Sequence, residues 1–420
     1  MDESTLIIKN AGQLLTCGVG LKRGLEMQDL GILNNVDIVC SKGKIVYIGV
    51  EKYPAGLNIK DAVVIDASAK VVMPGFVDCH THLIFAGDRI KDWKARMDGV
   101  SYQQIAAAGG GIMSTVRATR EANEETLYDS AAKIINKILR EGTTSCEIKS
   151  GYGLNLENEL KILKVANKIK NNSLIDVATT FLGAHAIPSE YKEKRGEYIK
   201  LIVDEMIPMV AKNNLAEFCD VFCDEGYFSV AESRSILEKG KEYGLIPKIH
   251  ADELTYTAGA ELAAELNAIS AEHLLCISDA GIKAIAEKGV IAVLLPTTSF
   301  FLKGEIPPVR KMIEKGVAIA LGTDFNPGTS YCYSMLLTIG FACYYYKMKV
   351  EEAIIAATIN AAYAINRGNL LGSVQVGKQA DLLIFNIPSY EYLVYQFGIN
   401  KPTTVIKKGK IVYKENQSAN

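Results

Sequence analysis

The stretch VVMPGFVDCHTHLIFAGDR, from Val71 to Arg89, decides how this chain folds and where its chemistry lies. Its apolar start predicts a buried strand, which runs into the pair His80 and His82. Side chains two residues apart on a strand point to the same face, so these two imidazoles converge on one point. Imidazole is a ligand for zinc and iron. Two polar residues in a loop at the strand end are the simpler interpretation, and the rest of the chain must decide between them.

The composition is typical of a globular protein with almost no net charge. The chain has 420 residues, of which 49% are hydrophobic and 22% charged, and its formal net charge is -2. We therefore expect neither nucleic acid nor an anionic membrane surface as a partner. The nine cysteines form no C-x-x-C pair, which indicates reduced thiols in a cytoplasmic protein. The N-terminus carries acidic residues where a signal peptide needs basic ones.

One long stretch, from Phe325 to Tyr346, contains no charged residue. It begins with a turn sequence, Asn326-Pro327-Gly328, and then contains several tyrosines together with Ser, Thr and Cys. We expect a helix packed inside a large fold, and no membrane span.

Both ends of the chain contain short, β-rich runs separated by Gly, Asn and Pro. Leu6–Lys9 and Gly43–Gly49 are examples near the start, and Ala380–Phe385 and Pro402–Tyr413 are examples near the end. We predict that the two ends together form one small β-sandwich domain, residues 1–73 with 366–420. A central domain of residues 74–365 would be inserted between them.

In the central domain, short apolar strands alternate with longer helical patterns, which is typical of parallel β/α units. Eight strands are predicted in this way, at Gly75–His80, Thr143–Lys149, Asp176–Ala184, Glu217–Phe222, Leu245–His250, Ala268–His273, Val290–Leu295 and Val317–Thr323. Eight such units indicate an α/β fold of the (β/α)8 barrel type. A doubly wound open sheet is the alternative, but no G-x-G-x-x-G motif follows the first strand.

The positions of the histidines support the barrel. The chain has only five, and each lies at or just beyond the C-terminal end of a predicted strand: His80, His82, His185, His250 and His273. The eighth predicted strand runs directly into Asp324. In a barrel of this type the C-terminal strand ends form one face, and active sites are built there.

Four of these residues, His80, His82, His250 and Asp324, form a candidate metal shell. Three imidazoles and a carboxylate leave room on zinc or ferrous iron for a water molecule, whose pKa the metal lowers toward neutrality. Glu253 could exchange a proton with that water or with a leaving nitrogen.

His273 could polarise a carbonyl or stabilise an oxyanion, which would make it catalytic together with Glu253 and Asp324. Simpler roles remain open for each residue. His273 could be a hydrogen-bonded core histidine, Asp252 and Glu253 could be carboxylates at a helix N-terminus, and Asp324 could be a turn residue.

Several longer segments resemble the amidohydrolase superfamily and, within it, the imidazolonepropionase family: PGFVDCHTHLIFAGDR, GGGIMSTVRATR, SCEIKSGYGL, FLGAHAIP and GTDFNPGTS. The resemblance extends over nearly the whole chain. The His-x-His pair and the lone Asp324 are general to the superfamily, whereas SGYGL, GAHAIP and DFNPGTS are far more specific. The resemblance implies hydrolysis of the ring amide of 4-imidazolone-5-propanoate to N-formimidoyl-L-glutamate, a step of histidine degradation, by a metal-activated water.

The resemblance also implies roles for individual residues. It places one zinc or iron ion on the four candidate ligands and has Glu253 act on the ring or on the attacking water. It implies substrate contacts from Arg89, Tyr152, His185, Glu253, Asn326, Gly328 and Thr329. An arginine suits the propionate, because it can bind a carboxylate through two parallel hydrogen bonds.

A single metal is expected for a further reason. Many members of the superfamily bridge two metals with a carbamylated lysine on the fourth strand, and the fourth predicted strand here, Glu217–Phe222, contains no lysine. Lys149, at the end of the second predicted strand, is in the wrong place for that bridge.

Two other functions remain open. The same metal shell would serve another cyclic amidohydrolase or a nucleobase deaminase, although Arg89 favours a small acidic ring substrate. A non-catalytic barrel that binds a ligand or a partner protein is the second alternative, but none of the expected ligands is missing. The expected partner is a small molecule, and the family resemblance makes a homodimer an additional expectation.

Overall fold

The computed structural model describes residues 5–50, 53–54, 57, 59–100, 104–105, 108–303 and 305–415. At its centre is one sheet of eight strands in which chain order equals spatial order. Every strand pair in this sheet is parallel. The strands are β8 (Phe76–Asp78), β9 (Thr143–Lys149), β10 (Asp176–Ala184), β11 (Phe218–Cys223), β12 (Ile246–Ala251), β13 (Ser270–His273), β14 (Ile291–Leu294) and β15 (Ile319–Leu321).

The first and last of these strands are joined just beyond their C-terminal ends. The Asp324 N–H donates to the His80 carbonyl at 3.0 Å, and the His82 N–H donates to the Phe325 carbonyl at 3.0 Å. The Asp78 carboxylate also accepts the Thr323 N–H at 3.0 Å. The sheet is therefore a closed barrel, as predicted, and the alternative of an open sheet is wrong. The predicted strand bounds agree with the observed ones to within one or two residues.

Helices surround the barrel, and the longer ones bury one face against it. The segment Glu124–Arg140 shows why: its buried residues include Leu127, Ala131, Ile135 and Ile138, at spacings of three and four. Asn123 accepts the Thr126 N–H and caps its first turn. The helices are α1 (Ile90–Met97), α2 (Ile112–Glu121), α3 (Glu124–Arg140), α4 (Leu156–Asn172), α5 (Arg195–Lys200), α6 (Ile207–Lys212), α7 (Val230–Glu242), α8 (Gly259–Glu265), α9 (Asp279–Lys288), α10 (Pro296–Leu302), α11 (Val309–Glu314), α12 (Met335–Tyr344), α13 (Val350–Ala356), α14 (Ile359–Ala364) and α15 (Tyr392–Tyr395). Short 3-10 segments cover Gly24–Gln28 and Ser189–Tyr191, and a π-helical segment covers Leu201–Met206.

The terminal strands form two further sheets, of six and four strands. Their strands are β1 (Leu6–Ala11), β2 (Gln13–Leu15), β3 (Ile32–Leu33), β4 (Val36–Ser41), β5 (Lys44–Gly49), β6 (Val63–Asp66), β7 (Val71–Pro74), β16 (Leu382–Phe385), β17 (Thr404–Lys407) and β18 (Lys410–Lys414). The six-stranded sheet has the order β18-β17-β16-β7-β2-β3 and so combines both ends of the chain, whereas the four-stranded sheet, β5-β4-β1-β6, uses the N-terminal part alone.

Apolar side chains from both terminal sheets share one buried cluster. Ile8 and Ile38 of the four-stranded sheet pack in it with Leu14, Val72 and Leu382 of the six-stranded sheet. This is the packing of a two-layer sandwich. The domain limits at residues 73/74 and 365/366 stay a prediction.

The β-rich run Pro402–Tyr413 forms a hairpin, because Lys408 and Gly409 have positive φ angles of 49° and 72° and turn the chain. One expectation needs correction. The uncharged stretch Phe325–Tyr346 is helical only over α12, and its first part is a loop held by local hydrogen bonds. Among the described residues, no helix is both long and apolar enough to cross a membrane.

Candidate metal centre and substrate pocket

The barrel brings all five histidines to one face. The His80 ring lies 4.6 Å from His250 and 5.6 Å from His273, between ring centroids. His82 lies 5.3 Å from His80 and stacks on His185 at 4.9 Å. These rings come from the ends of four strands, β8, β10, β12 and β13, which point the same way in a parallel barrel. The prediction that the five histidines meet on one face is confirmed.

Three candidate ligand atoms are spaced as a bound metal requires. His80 Nε2 lies 3.3 Å from His82 Nε2 and 3.4 Å from Asp324 Oδ1, and His82 Nε2 lies 3.5 Å from the same oxygen. Ligands bonded at about 2.0–2.1 Å to a tetrahedral metal lie about 3.3 Å apart. The side chains therefore fit a divalent cation without rearrangement.

His250 and His273 form a second group of ring nitrogens with His80. Ring nitrogens of His80, His250 and His273 lie within 4.8 Å of one another. Both nitrogens of His250, and Nδ1 of His82 and His273, are buried without a hydrogen-bond partner among the described residues. Buried polar atoms normally have a partner, so this group of unsatisfied nitrogens indicates a binding site rather than a histidine-containing core.

The backbone that carries these side chains is strained. Asp324 and His273 have positive φ angles of 49° and 72°, and Asp252, two residues after His250, has a φ of 51°. Non-glycine residues rarely adopt this conformation, which costs about 1–3 kcal/mol and is concentrated at functional sites. The simpler interpretation of Asp324 as an ordinary turn residue does not explain its side chain, which accepts a hydrogen bond from Thr298 at 2.7 Å and faces two imidazoles.

Opposite charges at the site stabilise each other. Burial opposes ionisation of Asp324, but a hydrogen bond from His80 and the nearby His82 and His273 rings hold the pKa of its carboxyl far below the usual range. Burial disfavours a charged His80, yet Glu272 raises the pKa of this imidazole to about 9. Burial and the neighbouring His185 lower the pKa of His82 well below its usual value. The cluster thus combines an ionised carboxylate with at least one imidazole that stays neutral.

Glu253 lines the same cavity and faces His273, with 3.5 Å between Glu253 Oε1 and His273 Nδ1. Burial raises the pKa of Glu253 to about 8, and the nearby carboxylates of Asp324 and Asp224 add to the shift. Burial lowers the pKa of His273 well below its usual value. A carboxyl that titrates near neutrality is suited to exchange protons in a reaction.

The two acidic residues after His250 have different environments. Asp252 accepts the N–H groups of Thr257, Gly259 and Ala260 around the start of α8, so the simpler interpretation as a helix-terminal carboxylate is confirmed for it. Glu253 makes no such contact. Its own N–H donates to Asp224 at 2.8 Å, and this residue, which the sequence analysis missed, holds the loop that carries Glu253.

The cavity beside the histidines has a volume of about 660 Å³. Tyr152 and His185 lie on one side of it, 5.6 Å apart between ring centroids, and His185 Nδ1 is 3.1 Å from the Gly151 carbonyl. Gly151 has a φ of 108°, and a Cβ there would come within 2.8 Å of His185 Nδ1. The SGYGL segment therefore needs glycine at this position so that the His185 ring can lie against it.

Arg89 reaches the same cavity from the loop before α1. Its side chain is buried, and Nε donates to Thr115 Oγ1 at 2.9 Å. Among the residues that the structure describes, no aspartate or glutamate forms an ion pair with it. Buried charges are normally paired, so an unpaired buried guanidinium at a cavity wall indicates an anionic ligand.

The loop after β15 contains the remaining predicted site residues. The Asn326 side chain accepts the N–H groups of Gly328 and Thr329 at 2.8 Å each and donates to the Asp324 carbonyl at 2.7 Å. Its amide therefore shapes the loop, although Asn326 and Thr329 both line the cavity. Gly328 lies against Arg89, and a Cβ there would come within 2.4 Å of Arg89 Nη1. The structure thus places every predicted site residue in or next to one cavity.

Sequence analysis also missed a group of fully buried charges inside the barrel, next to His80 and His250: Glu147, Lys149, Asp220, Lys248 and Glu272. The available signal was a charged residue within otherwise apolar barrel strands, which is costly unless each charge has a partner. Asp220 was considered only as a member of a strand without lysine, and Lys149 only as a misplaced bridge.

Comparisons of the sequence and the fold with known proteins identify related enzymes. Residues 225–412 match the model of the amidohydrolase family. The chain is 50% identical to imidazolonepropionase of Clostridium tetani over 99% of this chain and 100% of that protein. It is 47% identical to imidazolonepropionase of Geobacillus kaustophilus over 98% and 99% of the two chains.

Among solved structures, an adenosine deaminase from Xanthomonas campestris with bound zinc has the same fold. Its TM-score is 0.68 at 18% identity, over 98% of this chain and 93% of that one. The identity to the two curated relatives extends over almost the full length of both partners. The chain therefore belongs to the amidohydrolases and, within them, to the imidazolonepropionase family.

Proposed function

We propose that this chain hydrolyses the ring amide of 4-imidazolone-5-propanoate and releases N-formimidoyl-L-glutamate, a reaction of histidine degradation. Water adds to the ring carbonyl carbon, the carbon–nitrogen bond of the ring breaks, and the leaving nitrogen takes up a proton. The curated relatives named imidazolonepropionase support this assignment. The cavity supports it independently, because it combines a metal-ligand cluster with a binding group for a carboxylate.

His80, His82, His250 and Asp324 would hold one divalent metal, zinc or iron. When bound there, the metal would supply a Lewis acid that activates water at neutral pH. The spacing of the three ligand atoms from His80, His82 and Asp324 supports this role, as does the absence of a hydrogen bond to His250 Nε2 within the described residues. The adenosine deaminase from Xanthomonas campestris, which has the same fold and contains bound zinc, supports it as well.

Glu253 would carry the proton. With a pKa of about 8, its carboxyl can accept a proton from the attacking water and return it to the leaving ring nitrogen. His273 stays neutral because burial lowers its pKa, so its imidazole can donate one hydrogen bond to the developing oxyanion. The contact of 3.5 Å between Glu253 Oε1 and His273 Nδ1 supports a shared task for the two residues.

The single observation that carries the substrate assignment is Arg89. It is a buried cation without a carboxylate partner among the described residues, and it lies in the same cavity as His82, His250 and Asp324. A substrate that places a propionate on the guanidinium would present its ring to these three side chains. The stacked pair His82 and His185 and the nearby Tyr152 offer flat surfaces for that ring.

The loop from Asn326 to Thr329 would complete the pocket. Asn326 fixes the loop, Gly328 leaves room for the guanidinium, and Thr329 faces the cavity with a hydroxyl that can contact the substrate.

Aromatic side chains at the surface, among them Tyr344 and Phe397, are 61% and 43% exposed and support a homodimer. Nine free cysteines support a cytoplasmic location.

The test is a hydrolysis assay with freshly generated 4-imidazolone-5-propanoate, followed by the loss of its ultraviolet absorbance, on protein of measured metal content. We expect rapid turnover that a chelator stops and about one metal per chain. Guanine and cytosine, assayed in parallel, should not react. Bound metal with turnover of a nucleobase instead would replace this proposal with a deaminase, and protein without metal or turnover would indicate a non-catalytic barrel.

A further inference from the structure

The five buried charges inside the barrel lie directly behind the histidines that the proposed function assigns to the metal. Glu147, Lys149, Asp220, Lys248 and Glu272 are all completely buried, and they come from four different strands, β9, β11, β12 and β13. Their side chains contact one another inside the barrel and are closed off from solvent. Burying five charges is expensive, so a group of this kind needs a reason beyond packing.

The two lysines bind all three carboxylates. Lys149 Nζ lies 3.1 Å from Glu147, 2.7 Å from Asp220 and 2.8 Å from Glu272. Lys248 Nζ lies 2.7 Å from Glu147 and 2.9 Å from Glu272. Both ammonium groups therefore hold the carboxylates in fixed positions, and three acids against two lysines leave one negative charge uncompensated.

That negative charge faces the candidate metal ligands. Glu272 Oε2 is 2.7 Å from His80 Nδ1, and Asp220 Oδ2 is 3.0 Å from His250 Nδ1. Both contacts are made by Nδ1, which leaves Nε2 for the metal. Neither contact is an aligned hydrogen bond in the structure, since both Nδ1 atoms lack a hydrogen-bond partner among the described residues. A neutral imidazole with its proton on Nδ1 would be stabilised by either carboxylate, because its N–H could donate a hydrogen bond to it.

We propose that Glu272 and Asp220 are positioning residues of the metal centre. With a metal bound, they would hold the proton of His80 and of His250 on Nδ1, so that both rings present an unprotonated Nε2, and Lys149 fixes the two carboxylates together. This proposal rests on the metal site of the proposed function. It goes beyond that function because it assigns a task to a buried network that touches neither the substrate cavity nor the metal directly.

The ion pairs of the network support this role. Glu272 lies against the ammonium groups of both lysines, and Asp220 lies against that of Lys149. Carboxylates paired in this way accept hydrogen bonds, which is what a histidine that must donate from Nδ1 requires.

Zinc affinity of the purified protein, measured by competition with a chromophoric chelator, tests the proposal without any substrate. Glu272→Gln and Asp220→Asn keep the size of each side chain and should each weaken zinc binding by roughly 10–100-fold. Glu352→Gln is the matched control, because Glu352 is also completely buried and ion-paired, but with Arg310 and far from the histidines. It should leave zinc affinity unchanged even if it lowers the melting temperature.

Folded variants of Glu272 and Asp220 with wild-type zinc affinity would overturn the proposal. Wild-type protein that binds no zinc would instead overturn the metal site of the proposed function, so the two failures are distinguishable. If either variant does not fold, the tautomers of His80 and His250 in the wild-type protein test the proposal instead. In nitrogen-15 spectra of histidine-labelled, zinc-loaded protein, which contains only five histidines, His80 and His250 should carry the proton on Nδ1. A proton on Nε2 of either residue would contradict the proposal.

Discussion

The two ends of the barrel contain similar kinds of polar groups but organise them in opposite ways. At the C-terminal end of the strands, buried imidazole nitrogens lack partners among the described residues, and Asp324 and His273 have strained backbones. At the N-terminal end, Asp176 accepts hydrogen bonds from Gln379, Lys407 and Lys408 at 2.6, 2.7 and 2.7 Å. One end keeps polar atoms available for a ligand, whereas the other satisfies them within the protein.

From this difference we expect the C-terminal end of the barrel to bind the ligand and the N-terminal end to stabilise the fold. Asp176 begins β10, and its three partners belong to the C-terminal part of the chain, so this cluster joins the barrel to the six-stranded sheet. In barrels of this class, active sites lie at the C-terminal ends of the strands. Substitutions at the two ends should therefore change different quantities: activity at one and the free energy of unfolding at the other.

The largest effect is expected from Asp324→Ala. It removes a candidate ligand whose oxygen lies 3.4 and 3.5 Å from two others, so turnover should fall by more than the roughly 10–100-fold that loss of an outer partner costs. The variant should still fold, with a fall in the melting temperature of the metal-free protein that is small beside the loss of turnover, because alanine keeps the left-handed backbone and loses only the hydrogen bond that Thr298 donates to Asp324. Steady-state rates and thermal unfolding measure the two effects. Wild-type rates in this variant would exclude Asp324 from the metal site.

Arg89→Met should have the next largest effect, and mainly on substrate binding. Loss of charge-assisted hydrogen bonds to the propionate costs about 1.5–3 kcal/mol, which corresponds to an increase in KM of about 10- to 150-fold with a smaller change in kcat. Arg367→Met is the matched control, because Arg367 pairs with Glu217 away from the cavity. An unchanged KM in Arg89→Met would mean that the carboxylate binds elsewhere.

Asp176→Asn at the opposite end should lower the free energy of unfolding without changing the turnover rate. Burial raises the pKa of Asp176, but Lys407 outweighs it and brings the pKa down to about 2. The ionised form is therefore stabilised by folding, by up to about 2 kcal/mol above the unfolded pKa of about 4. This contribution is lost as the pH falls from about 4 toward 2. Denaturant unfolding should show the full difference between variant and wild type at pH 7 and only a small remainder near pH 2, where the carboxyl is half protonated in the folded protein.

Gln379→Ala should have the smallest effect. The Gln379 side chain donates to Asp176 and Asp381 at 2.6 and 2.7 Å, and loss of these hydrogen bonds should cost about 1 kcal/mol of unfolding free energy. Urea titration measures this cost, with kcat/KM as the control quantity. A marked fall in kcat/KM of the folded variant would contradict the separation between the two ends.

Sequence alone predicted the barrel and the grouping of the candidate site residues at one end of it, because both depend on local patterns. Apolar strands alternate with amphipathic helices, and each histidine lies at a strand end, so parallel topology brings them together. The contacts of Glu272 with His80 and of Asp220 with His250 could not be predicted, since they depend on the closure and register of the barrel. Composition also misled the interpretation of Phe325–Tyr346, where Asn326 bonds to its own loop and the helix begins only at Met335.

The most direct test of the functional end of the barrel is anomalous X-ray diffraction from a zinc-loaded crystal, recorded at the zinc edge. The account predicts one strong peak per chain, about 2.0–2.2 Å from His80 Nε2, His82 Nε2, a nitrogen of His250 and an oxygen of Asp324. A peak between Asp220 and Glu272, or no peak on zinc-saturated protein, would contradict it.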